Sequence, residues 1–157
     1  EIASCLVGSE MCIRDSYMTF EALTSIAESI DIITFFDRLI CKKAFSIHEN
    51  KQTAIIIDTV QLETERERKR IYAEELGHCA TQAFYPFQYC AEPLKRCNIA
   101  KAEYKAQEAS YILQVPFEEL QEAIKKGSSD EEIAELLDVD IDTLRKAIEC
   151  YRRKGLL

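Results

Sequence analysis

Glycine and proline are scarce in this chain, four and three among 157 residues. Their scarcity favours helices over a turn-rich all-β architecture. No apolar run approaches the roughly 20 residues needed to cross a bilayer, so a membrane-spanning helix is not expected. Positive charge is also in short supply. Twenty Lys and Arg against 28 Asp and Glu leave a net charge of −8, which argues against general affinity for nucleic-acid backbone or an anionic membrane surface. The early residues lack both the basic start and the clean apolar centre of a secretory signal, and the expected location is the cytoplasm. Cys-x-x-Cys pairs are missing as well, although there are seven cysteines. Cys90 and Cys97 stand too far apart for a zinc knuckle and have no second pair to join. In a reducing compartment these cysteines read as thiols serving as small apolar fillers.

What is present is enough for one domain with a small appendage: 157 residues, 47% of them hydrophobic. Residues 6–16 show neither a helical nor a strand period. They resemble the peptide produced when a sequencing-adapter read is translated in frame with a gene fragment. Residues 1–17 are therefore set apart from the fold, with Met18 the expected natural start. A natural tail is the other reading, and both assign it no function.

From Met18 the chain alternates helix and strand signals. Thr19 can cap a helix carrying Phe20, Leu23, Ile26 and Ala27 on one face. Residues 30–36 and 53–58 are rich in β-branched residues and read as strands. Residues 39–48 are ambiguous, and Glu49-Asn50-Lys51 fits a turn. A small, partly antiparallel sheet follows, with an open edge expected near Ile55. Thr64-Glu65-Arg66-Glu67 is a capping-box pattern that starts a helix. Arg66, Arg68, Lys69 and Arg70 make its first turns hydrophilic, and Pro86 is expected to end it. Residues 86–98 read as a loop, and Asn98 as the cap of another helix that closes at Val115-Pro116. Three short helices are expected over 117–126, 129–137 and 141–154, with Gly127 and Gly155 as stops.

The chemistry concentrates in Tyr72-Ala73-Glu74-Glu75-Leu76-Gly77-His78. On a helix Glu74 and His78 lie one turn apart on one face. Two such ligands can hold one metal ion, with Glu75 placed as a general base. The arrangement matches the His-Glu-x-x-His zinc helix with Glu74 in place of the first histidine. The same residues also fit an ordinary solvated helix face. Tyr72, Leu76, Cys79 and Ala83 form the opposite, core-directed stripe.

Ala73-Glu74-Glu75-Leu76-Gly77-His78, then Glu103-x-x-Ala106 and Leu113-Gln114-Val115-Pro116, resemble the ImmA/IrrE-type metallopeptidases of bacteria and their mobile elements. The resemblance spans most of residues 18–157. It implies an α+β fold: a zincin-like core over 18–115 and a helical, helix-turn-helix-like subdomain over 116–157. It further implies metal ligands Glu74, His78 and Glu103, with Glu75 as the catalytic base. Zinc is the implied ion. An oxygen-rich site, with the carboxylates of Glu74, Glu103 and the base Glu75 around one imidazole, also suits manganese or another hard divalent ion. The implied activity is cleavage of a helix-turn-helix repressor of a prophage or mobile element; a repressor-binding module without catalysis is the alternative. If the site forms, the Glu103 carboxylate and His78 imidazole must lie within about 8 Å of each other, because ligand bonds span only about 2 Å each.

The C-terminal helices also admit a DNA-binding reading, with Arg145, Lys146, Arg152, Arg153 and Lys154 as contacts. Acidic residues from Asp130 to Asp142 surround the first half of that unit, which favours a packed subdomain covering the core instead.

Overall fold

A computed structural model describes residues 18–84 and 93–157, and of residues 93–98 the backbone only. These residues form an α+β fold, with six helices and a three-stranded mixed sheet among them. Helix α1 (Phe20–Ser29) starts where the Thr19 hydroxyl accepts from the Ala22 N–H at 3.1 Å, and it buries Phe20, Leu23 and Ala27. Strand β1 is Ile32–Phe36, shorter at its start than the periodicity predicts. Ile30 and Asp31 still donate back to the last carbonyls of α1, and Asp31 takes φ 60, so extension begins only at Ile32.

Strands β2 (Ala44–Glu49) and β3 (Gln52–Ile57) form a hairpin closed by Asn50 and Lys51, both at positive φ. That two-residue turn matches the right-handed twist of paired strands. The sheet order is β1-β3-β2, with β3 parallel to β1 and antiparallel to β2. Ile55, expected at an open edge, therefore lies in the central strand and is fully buried. The open strands are β1 and β2. The misplacement arose because a run as apolar as Ile55-Ile56-Ile57 reads equally as edge or centre until its partners are known.

Helix α2 (Glu65–Thr81) begins at Thr64, whose hydroxyl accepts from the Glu67 N–H at 3.1 Å. The Glu67 carboxylate pairs with Lys43. The helix ends at Thr81, before Pro86, because Gln82 adopts the left-handed region at φ 55 and the Ala83 N–H bonds the His78 carbonyl at 2.9 Å. Tyr72, Leu76 and Cys79 are buried in the core that α1, α2 and the sheet share. Thr34 and Tyr72 share a hydrogen bond of 2.6 Å across that core.

Helix α3 runs from Pro93 to Gln114, so Asn98 lies inside it rather than capping it. Proline is tolerated in the first turn of a helix, a start signal that the loop reading of residues 86–98 passed over. The part of that expected loop before Pro93 lies outside the described residues, as do residues 1–17. Helices α2 and α3 pack backbone to backbone at Gly77, where an added Cβ would fall 2.3 Å from the Ala106 carbonyl oxygen.

Helices α4 (Phe117–Lys125), α5 (Asp130–Leu136) and α6 (Ile141–Arg153) gather a second apolar cluster around Leu120, Leu137, Leu144 and Tyr151. Ser129 and Glu132 complete a reciprocal capping box at the start of α5. Gly127 and Gly155 take the positive φ that ends α4 and α6. This unit docks on α2 through a residue the sequence places among exposed charges. Lys69 is 1% exposed and donates to the Leu137 carbonyl at 2.8 Å. Burial lowers its pKa, with Asp138 pulling the other way. Among the described residues no helix is long and apolar enough to cross a membrane.

Candidate functional site

Gly77 determines how the site is assembled. Because it lacks a Cβ, α3 can lie against α2 with the Ala106 backbone in the gap. His78 follows Gly77 on α2, and Glu103 precedes Ala106 by about one turn on α3. The close crossing therefore brings the two side chains together. His78 Nε2 lies 3.6 Å from Glu103 Oε2, well inside the separation that a shared ligand pair requires.

That distance is informative in itself. It is longer than an N–H···O hydrogen bond, and close to the roughly 3.4 Å that separates two ligands each about 2.0–2.1 Å from one tetrahedral ion. The other imidazole nitrogen, Nδ1, is enclosed and has no hydrogen-bond partner among the described residues. Among the described residues neither ring nitrogen has a protein partner at hydrogen-bond distance, and for the enclosed Nδ1 that is an unusual state. A cation between Nε2 and Oε2 fits the donors in both distance and chemistry.

The four residues singled out from the sequence do not all converge. Glu75, His78 and Glu103 line one cleft of about 950 Å³. Glu74 does not line it and pairs instead with Arg70 one turn back at 3.3 Å. Burial holds its carboxyl above the ordinary range, while Arg70 acts in the opposite direction. To join His78, Glu74 must turn away from Arg70. Among the described residues no three His, Cys, Asp or Glu side chains are grouped closely enough to hold a metal ion. The donor set in place is thus the His78–Glu103 pair, with Glu75 in the same cleft.

Cys79 also lines the cleft, but its thiol is inert. Burial, reinforced by the nearby Glu75 charge, pushes its pKa up to about 12. A thiolate nucleophile is not available there at neutral pH.

The opposite wall of the cleft is strand β2. In a two-residue hairpin the flanking residues Glu49 and Gln52 form a hydrogen-bonded pair, and such pairs alternate along the ladder. Glu49, Ile47 and Phe45 thus bond to β3, while Ala44, Ser46 and His48 turn their N–H and C=O groups to the outer edge. The Asp58 N–H to Lys43 carbonyl bond of 2.8 Å continues the same alternation. No described strand covers that edge. The chain has two histidines, and both His48 and His78 line this cleft. His48 Nδ1 is 2.8 Å from Thr53 Oγ1, and its ring stacks on Phe84.

Gly77, His48 and Phe84 are the features of the site that sequence reasoning missed. Gly77 carried a usable signal, since a helix-interior glycine is costly unless another backbone approaches it. His48 and Phe84 carried none, because their meeting depends on where α2 ends.

No protein-family profile, curated protein or solved structure matches the chain.

Proposed function

We propose that this protein is a metal-dependent endopeptidase of the ImmA/IrrE type that acts in the cytoplasm on a helix-turn-helix repressor of a prophage or mobile element. The observation that carries the reading is the His78–Glu103 pair, set at metal-ligand spacing in a cleft that also holds Glu75. His78 Nε2 and Glu103 Oε2 would hold the ion, zinc or manganese, and Glu74 would join them on leaving Arg70. When bound, the ion supplies polarisation of the scissile carbonyl and of the attacking water.

The chain's own residues supply the rest. Glu75 accepts the proton of the attacking water and returns it to the leaving amine. The outward N–H and C=O groups of Ala44, Ser46 and His48 align an extended peptide by strand addition. That role moves to β2 from the neighbourhood of Ile55, which the sheet encloses. Direct DNA contact is not part of the reading. Arg66 holds Asp138 at 2.9 Å and Asp140 at 4.0 Å, which keeps the start of α6 beside α2.

The test is co-expression with a helix-turn-helix repressor encoded by the same genetic element. The parent chain is expected to produce a truncated repressor, and Glu75→Gln none, because the amide cannot accept the water proton. The pairing of Glu74 with Arg70 favours a second reading, a repressor-binding module without catalysis. Under that reading no truncation occurs with zinc or manganese supplied, and repressor binding survives chelation.

A further inference from the structure

We propose that the β2 wall of the cleft selects an extended peptide by its side-chain acceptors, carboxylates above all. The inference rests on the peptide-binding reading given above and names the substrate chemistry of the same cleft.

Ala44, Ser46 and His48 share one face of β2, paired with Ile57, Ile55 and Thr53. Cys79 on α2 engages Ser46, and Phe84 stacks on His48, so this face looks toward the site. Lys42, two residues before Ala44, lines the same cleft. Ala44 is buried, and Ser46 is half-buried with its hydroxyl beside Cys79. Lys42 and His48 are therefore the donors this wall offers a ligand, both exposed and neither ion-paired among the described residues.

His48 is held from two sides. Thr53, directly across the ladder, binds Nδ1 at 2.8 Å, and the Phe84 ring lies 5.5 Å away at 21°. With the Thr53 hydroxyl donating to Nδ1, the ring proton sits on Nε2 and is presented to the cleft. The opposite wall carries carboxylates, Glu75 and Glu103. Glu49 of β2 also lines the cleft but alternates to the other face of the strand from Ser46 and His48, so the β2 face that looks toward the site offers donors while α2 and α3 offer acids.

A peptide added along β2 presents same-face side chains to that donor face. The residues facing His48 and Lys42 are six apart, about 20 Å at roughly 3.4 Å per residue. Carboxylate or amide side chains at those two positions complete the pairs. Global charge pulls the other way: the net charge of −8, together with Glu75 and Glu103, favours a basic peptide. An acid preference therefore isolates the contribution of the two donors.

The test uses fluorescence anisotropy on the full chain carrying Glu75→Gln, so that turnover does not consume the probe. Two fluorescein-labelled Thr/Val peptides of about ten residues are compared, one with Glu and one with Lys at two positions six apart. The Glu peptide is expected to bind about fivefold more tightly, in keeping with two exposed pairs. Adding Lys42→Ala and His48→Ala removes or reverses the preference, while adding His48→Gln alone, which keeps an N–H donor, preserves it. Equal or tighter binding of the Lys peptide, a preference that survives the double alanine change, or no binding of either peptide overturns the proposal. A chain that cuts repressor without this acid preference loses the present inference only. An acid preference without cutting supports the present inference and removes only the peptidase reading.

Discussion

At the scale of single residues, Gly77 decides whether the site exists. Glycine in a helix interior costs about 1 kcal/mol relative to alanine, so on propensity alone Gly77→Ala would stabilise. The 2.3 Å approach of the Ala106 carbonyl oxygen reverses that sign, because a backbone atom of a packed helix cannot move aside cheaply. Gly77→Ala is expected to cost at least about 1 kcal/mol net in urea denaturation. It is also expected to weaken metal binding by widening the His78–Glu103 gap. Unchanged stability with unchanged metal affinity would show that the crossing tolerates a Cβ. His78 stood out in the sequence through its i,i+4 spacing from Glu74, whereas Glu103 was singled out only by the family resemblance, and the structure sets the two 3.6 Å apart. The diversion of Glu74 to Arg70 was not legible, since an i,i+4 acid can pair backwards with Arg70 as well as forwards with His78.

At the scale of elements, the sequence located what depends on local chemistry. Thr19 and Thr64 cap the helices they were expected to cap, the helix expected from residue 129 is capped by Ser129, and Gly127 and Gly155 take the positive φ expected of stops. Each of these signals acts within one turn of its own residue. The failures share a cause as well. Pro86 was expected to end α2, yet the helix had already ended at Gln82, a residue with no strong preference for the left-handed region. The order β1-β3-β2 places the most apolar strand between two others. That arrangement is a tertiary choice which alternation along one strand cannot report. Which open edge lines the cleft depended on it, and so β2 became visible only in the fold.

At the scale of the whole molecule, α3 packs against both apolar clusters, through Leu113 on one and Tyr111 and Ile112 on the other, and Lys69 ties the site helix to the C-terminal helices. Burial lowers the folded-state pKa of Lys69 below the ordinary 10.5. Between that lowered value and about 10.5 the unfolded chain binds more protons than the folded one. The Lys69 contribution to stability therefore rises with pH through this window. Comparing the parent with Lys69→Met between about pH 8 and about pH 10 isolates it from tyrosine and thiol titration common to both. The parent is expected to gain stability relative to the variant as pH rises, and a constant difference would contradict this. The central claim is that His78 and Glu103 hold a metal ion, and metal analysis of the purified chain tests it most directly. After loading with zinc or manganese and removal of the excess, the account predicts one ion per chain in the parent and in Glu75→Gln, and loss of the ion in His78→Ala and Glu103→Ala. No retained ion in the parent, or an ion that persists in His78→Ala, would contradict it.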